Sequence, residues 1–193
     1  MSHRLILICH AATEATRQGA FPLDEPLIEA GITAARAASR CLPRIGRVLT
    51  SPSLRARQTA ALLWPDSAVR EEPELGDLDA GRWVGRRLAD LQAEEPEALQ
   101  SWLRDPEVCP HDGEPIAALR LRTGRWLNTC AQEPGRTAAV THAAVIRCAM
   151  LHVLEAPTQA FWRIDVPPLS ITDLRSDGRR WTLRAITGVR RSD

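Results

Sequence analysis

Three residues whose side chains can handle phosphate stand at comparable places in this sequence. The apolar run "LILIC" closes on His10, "TAAVT" closes on His142, and "RVLT" runs into "SPSLRARQTA", which carries Arg55. Imidazole titrates close to neutral pH, so a histidine can attack an electrophile or carry a proton. A guanidinium grips oxyanions through a planar fork of N–H donors. Each residue alone has an ordinary structural use: a strand-ending histidine packs or caps, and an arginine on an amphipathic helix is solvated. Their joint placement, each just beyond a strand, is what points to an anion site.

Such a site needs the three residues delivered to one edge of a sheet, and the intervening pattern supplies the means. Arg4 to His10 reads as a strand buried on both faces, Arg47–Thr50 as a short strand, and Thr137–His142 as another. Helices are expected over Leu27–Leu42, from an N-cap at Ser51 with Pro52 in the first turn to about Trp64, over Pro115–Ala131, and from His142 to about Leu154. Residues 70–86 read as loop, and Leu88–Ala93 and Pro96–Leu103 as two short helices. The tail "FWRIDVPPLSITDLRSDGRRWTLRAI" reads as two or three strands turning at Ser176-Asp177-Gly178. Alternating strands and helices imply an α/β sandwich around a largely parallel sheet, whose ligands bind beyond the carboxyl ends of the strands. The N-terminal amides of the helix carrying Arg55 are expected to favour an anion there.

Composition narrows the chemistry. The chain has 193 residues, the length of one domain, and a formal net charge of +1, so its totals show no nucleic-acid or membrane-surface footprint. All 25 basic residues other than histidine are arginine. Lacking lysine, the sequence excludes a P-loop lysine, a Schiff-base lysine and an ammonium base. The five cysteines are odd in number and have no zinc spacing, which suits reduced thiols in a cytoplasmic protein. No apolar stretch is long enough to span a membrane or to serve as a signal-peptide core.

The motifs then add a resemblance. "SPSLRARQTA" matches Ser-Pro-x-x-Arg-Ala-x-Gln-Thr-Ala of the histidine phosphatase superfamily, the phosphoglycerate-mutase-like enzymes, at every fixed position. "LGDLDAGRWVG" resembles that family's Leu-x-Glu-x-x-x-Gly-x-Trp-x-Gly, "HDGEP" its Gly-Glu-Ser, "AAVTHAAVIR" its second-histidine segment, and "FWRIDVPPLSITDL" its closing strands. The resemblance runs from residue 4 to about 186 and implies one domain, 1–193, with a three-layer α/β/α sandwich and a lid or insert over about 88–114. It implies a metal-independent phosphate monoester hydrolase without a cofactor, acting on a small phosphorylated substrate. Sugar phosphates, phosphoglycerates, α-ribazole-like phosphates and phosphoproteins all stay open as substrates. Carried over residue by residue, His10 is the nucleophile, Arg55 a phosphate clamp, His142 the second core histidine and Asp77 the acid, with Asp79 and Glu74 as alternatives. Thr13, Arg17 and Ala143 are expected to contact substrate.

The departures concentrate in the same place. The family's Arg-His-Gly is Cys9-His10-Ala11, so one clamp arginine is missing, and Arg17 is the nearest candidate to replace it. Ala11 and Ala143 each add a methyl group, Thr16 stands where asparagine is frequent, and Asp77 is one methylene shorter than glutamate. Cys9 as nucleophile fails on spacing, since the protein tyrosine phosphatase pattern wants an arginine at the position of Ala15. It reads instead as a small apolar filler. His111 is expected in a loop that approaches the crevice or does nothing there, and Arg147 is expected to brace its helix. The alternative to a working phosphatase is a catalytically weakened member that binds a phosphorylated ligand or a protein partner.

Overall fold

The structure, a computed structural model, describes residues 2–43 and 45–188. Six strands form one sheet: β1 (His3–Cys9), β2 (Arg47–Thr50), β3 (Val69–Glu71), β4 (Gly135–Thr141), β5 (Ile171–Ser176) and β6 (Trp181–Thr187), in the order β3-β2-β4-β1-β5-β6. β1 to β4 run parallel, while β5 pairs antiparallel with both β1 and β6. The helices are α1 (Glu14–Gln18), α2 (Glu29–Ser39), α3 (Leu54–Leu63), α4 (Leu88–Glu94), α5 (Pro96–Arg104), α6 (Ile116–Ala131) and α7 (Ala143–Val153).

Side-chain alternation along β1 explains the layers. Leu5, Leu7 and Cys9 point to one face, into a cluster with Leu119, Leu127 and Ile146 of α6 and α7. Ile6 and Ile8 point to the other, against Ala35 and Ala38 of α2 and Ala56 and Ala60 of α3. β1 is therefore buried on both sides, which accounts for its unbroken run of Leu and Ile. Burying each such side chain stabilises the fold by about 1.5–3 kcal/mol relative to exposure.

Register then places the chemistry. Cys9 lies opposite Thr141 and Thr50 opposite Val140, so the chain leaves β1, β4 and β2 at nearly the same level. The His10 N–H bonds the Thr141 carbonyl at 2.9 Å and the Ser51 N–H bonds that of Val140 at 2.9 Å. The end of β1 is pinned from its other side as well. Cys9 N–H donates to Ser170, and the N–H of Leu169 donates back to Cys9 at 3.1 Å. Leu169 adopts φ 61°, a left-handed conformation costly for leucine, so packing of the 167–170 loop enforces this pinning.

Two local expectations need correction. The cap of α3 is Ser53, because the Ser51 hydroxyl is drawn to His142 across the sheet. Arg70 and Glu71, expected as loop, join Val69 in an edge strand beside β2. The tail contributes two strands joined by the expected turn at Ser176-Asp177-Gly178, and Thr158–Arg163 ahead of them is a 3-10 helix. No helix among the described residues is long and apolar enough to cross a membrane.

Candidate active site

His10 and His142 face each other with ring centroids 5.2 Å apart. Nδ1 of His10 donates to its neighbour's carbonyl, Ala11 O, at 2.8 Å. A carbonyl only accepts, so that contact puts the proton on Nδ1 and leaves the Nε2 lone pair for an incoming electrophile. Burial lowers the pKa of His10, with the Ala11 carbonyl pulling the other way and Arg55 adding to the lowering. The imidazole is thus neutral at pH 7 and able to act as a nucleophile.

His142 is held on its far side by Ser51 Oγ, 2.8 Å from Nε2, with Ser53 Oγ at 3.3 Å. Its Nδ1 lies 3.2 Å from Asp77 Oδ2 but off the line of a hydrogen bond, and has no other partner. The nearby carboxylate favours a proton on Nδ1, leaving Nε2 to accept from Ser51. Burial pushes the His142 pKa down to about 3 against the opposing pull of Asp77. This ring too is neutral.

Arg55 and Asp77 complete the cluster. One guanidinium nitrogen donates to Asp77 Oδ2 at 2.8 Å and another to Leu23 O at 3.1 Å, while Nε is buried without a partner. Burial pushes the Asp77 carboxyl up, but the combined pull of His142, Arg55 and His10 outweighs it and holds the group below its ordinary value. Asp77 is ionised in the free protein. Its loop is fixed by Arg122, which donates to the carbonyls of Glu74 (2.8 Å), Gly76 (3.1 Å) and Asp77 (3.2 Å) and pairs with Glu114. Of the three candidate carboxylates only Asp77 reaches the histidines. Asp79 is exposed and accepts from Gly81 N–H, and Glu74 is exposed beside it.

The remaining expected contacts divide. Ala143, the first residue of α7, lines a cavity of about 380 Å³ that opens beside His10 and Asp77. Thr13 does not reach it, because its side chain caps α1 in a reciprocal box with Thr16. Arg17 does not either: its guanidinium lies on the surface, paired with Glu14 at 2.6 Å. Ala15 and Thr16 are the residues of that segment that line the cavity. His111 is fully buried against Trp83 and Trp102, away from the cavity wall. The expected anion-binding end of α3 is already occupied, since Asp24 accepts from Leu54 N–H at 2.7 Å. Ala143 and Ala144 bring the N-terminal end of α7 to the cavity instead.

Arg147 is the residue that sequence reasoning undervalued. It does brace, as expected, through Nε to Ile164 O at 2.8 Å, and it lies over Phe161 at 5.2 Å and Trp162 at 5.5 Å. It also lines the cavity with His10, and its charge is felt at Cys9 and Asp77. Helical spacing alone cannot show that a residue at the fifth position past His142 turns into the cleft, because the turn depends on the 3-10 helix it stacks upon. Cys9 itself is buried, and burial pushes its thiol up to about 12, so it offers no thiolate. Among the described residues, no group of three or more His, Cys, Asp or Glu side chains is placed to hold a metal ion.

Known proteins resemble this chain over most of its length. The model of the histidine phosphatase superfamily (branch 1) matches residues 5–187. The chain is 28% identical over 172 residues to the adenosylcobalamin/alpha-ribazole phosphatase of Escherichia coli (strain K12), covering 84% of this chain and 85% of that protein. It is 29% identical over 176 residues to the glucosyl-3-phosphoglycerate phosphatase of Mycobacterium tuberculosis (strain ATCC 25618 / H37Rv), covering 81% of this chain and 77% of that one. The solved alpha-ribazole phosphatase of Shigella flexneri superposes with a TM-score of 0.85 at 27% identity, over 96% of both chains.

Proposed function

Because the chain belongs to the histidine phosphatase superfamily (branch 1), we propose that it hydrolyses the phosphate monoester of a small metabolite through a phosphohistidine at His10. The three relatives described above are phosphatases by name, which supports the reaction class. The observation that carries the reading is the clustering of a neutral His10, a neutral His142, Arg55 and Asp77, of which His10 and Asp77 line the cavity.

In this reading the Nε2 lone pair of His10 attacks phosphorus as the bond to the ester oxygen breaks. Nδ1 keeps its proton on the Ala11 carbonyl, so the growing positive charge on the ring is stabilised where it forms. Arg55 moves from Asp77 to the phosphoryl oxygens, and Nδ1–H of His142 donates to the same group. An arriving phosphate dianion puts negative charge beside Asp77 and takes away its Arg55 partner. Both changes raise the carboxyl's proton affinity, so Asp77 takes up a proton with substrate and delivers it to the leaving oxygen. Ionised again, it accepts a proton from the water that attacks the phosphohistidine, and inorganic phosphate leaves. Arg147, not Arg17, supplies the second cation that Cys9 lacks, at the α7 end of the cavity.

The test is phosphate release from an aryl phosphate and a panel of metabolite phosphates, with His10→Ala beside the native chain. Turnover should fall by roughly 10⁴-fold or more in the variant, and the native protein quenched in alkali during turnover should carry phosphate on His10. A native chain that turns over nothing, or a His10→Ala chain as active as the native one, would sink the reading. The competing reading, a phosphate binder without turnover, draws on one observation, the buried uncharged Cys9 in place of a guanidinium. It requires Asp77→Ala to leave phosphate affinity unchanged in a chain with no activity to lose.

A further inference from the structure

The cavity beside His10 has two unlike ends. His10, Asp77 and Arg147 gather at the phosphate end, whereas the rest of its wall is carbon. Phe21, Leu88, Trp102, Leu103, Phe161 and Trp162 form most of that wall, brought together from the α1–α2 connection, α4, α5 and the 158–163 turn. The rings meet edge to face: Trp102 and Trp162 have centroids 4.6 Å apart at 64°, Phe161 and Trp162 4.8 Å apart at 84°, and Phe21 and Trp102 5.5 Å apart at 64°. Such an arrangement offers ring faces and edges to a further planar group.

Few polar side chains lie on this wall. Thr16 Oγ1 donates to Thr13 O at 2.8 Å and accepts from Thr13 N–H at 2.8 Å. The Nε of Arg147 is fixed on Ile164 O. A leaving alcohol rich in hydroxyls would lose water here and gain few partners, and an ammonium group would find no carboxylate but Asp77. An apolar ring meets no such penalty. A dry cavity of about 150 Å³ holds a benzene ring, so 380 Å³ leaves room for a phosphate with one or two rings.

We infer that the substrate is the phosphate monoester of an aromatic, hydroxyl-poor alcohol, whose ring lies on the Trp102–Phe161–Trp162 wall while its phosphate sits at His10. The inference rests on the phosphate end being the one proposed above. It goes beyond reaction class, because it excludes polyol and amino-acid phosphates as preferred substrates of this chain.

The test uses esters whose leaving alcohols have similar acidity, so that leaving-group chemistry does not decide the outcome: 2-phenylethyl phosphate and 2-(naphthyl)ethyl phosphate against glycerol 3-phosphate and phosphoserine. The arylalkyl esters should be preferred in kcat/KM on the order of 10²-fold. Trp162→Ala, and separately the milder and partly exposed Leu103→Asn, should shrink that ratio by lowering kcat/KM on the arylalkyl esters more than on glycerol 3-phosphate. Equilibrium binding of the non-hydrolysable 2-phenylethylphosphonate against glycerol-derived phosphonate, read by tryptophan fluorescence, separates the two levels of the argument. Equal or greater turnover of glycerol 3-phosphate or phosphoserine would overturn the ring-binding inference and leave the phosphatase reading standing. No turnover with tighter arylalkylphosphonate binding would uphold the pocket and defeat the hydrolase reading. No preference in either assay would overturn the inference outright.

Discussion

The two ends of the one cavity are built by different means. At the polar end, His10, His142 and Ser51 are the residues immediately after three parallel strands in register, so backbone hydrogen bonds alone bring them to one edge. Arg55 follows on the first turn of α3. At the aromatic end, Phe21, Trp102 and Trp162 come from segments that meet only because their side chains pack on one another. Chemistry that needs fixed geometry sits on the sheet, and recognition that can vary sits on packed loops and short helices. A change at the first end should therefore reduce the rate on every ester, and a change at the second should redistribute rates among esters.

Asp77→Asn is the largest test of that division outside His10 itself. The amide cannot deliver or accept the proton, so kcat on alkyl phosphates should fall by about 10²–10⁴-fold. An aryl phosphate, whose leaving oxygen needs less help, should lose markedly less. Measuring kcat for both esters across pH checks this, and the limb of the profile that reports the carboxyl should vanish. Equal losses on the two esters would mean that Asp77 only holds Arg55.

Arg147 stands on the boundary between the two ends, and its substitution asks to which one it belongs. Arg147→Met keeps the stem over Phe161 and removes the charge. If the cation serves the phosphoryl group, kcat/KM should drop by about 10²–10³-fold on all esters alike. Arg17→Ala, which breaks only the surface pair with Glu14, should change every rate by no more than about twofold. The reverse ranking would restore Arg17 as the replacement clamp. A loss confined to arylalkyl esters would assign Arg147 to the wall.

The contrast between the ends also marks what the sequence could reveal. β2 is legible to the residue because "RVLT" is a short apolar run ahead of a Ser-Pro helix start. His10, Arg55, Asp77 and His142 could be picked out because strand ends and a fixed motif place them. β3 was not legible, since only Val69 of its three residues is apolar and its existence depends on β2 beside it. The cap at Ser53 was missed because His142, distant in sequence, claims Ser51. Thr13 and Arg17, expected at the substrate, fall instead on α1, a helix of five residues hidden in a polar stretch, which makes one a cap and turns the other outward. The aromatic wall was invisible for the same reason. Nothing in the sequence marks Trp102 and Trp162 as neighbours; only the fold brings them to one cavity.

Acid should separate the two ends in a last and smaller way. The polar end contains two imidazoles kept neutral by burial, and His142 is the stronger case, lowered from 6.5 to about 3. In the unfolded chain these rings bind protons below about pH 6.5, whereas in the folded protein they resist protonation. The unfolded state thus binds more protons across that window, and stability must fall as pH drops from 6.5 toward 3. Asp77 behaves in the sense usual for a carboxylate: its depressed pKa adds stability above the ordinary value and loses it only in stronger acid. Thermal unfolding followed between pH 7 and 4 should show a declining midpoint for the native chain. His142→Gln, which keeps a polar contact for Ser51 and carries no titrating ring, should show a shallower decline. His10 and the buried His111, lowered in the same direction, keep it from becoming flat. The wall offers no comparable group, so Trp162→Ala should displace the whole curve without altering its slope. A native curve that stays level to pH 4 would mean that the folded protein accepts protons as readily as the unfolded chain, and that burial does not hold these rings neutral.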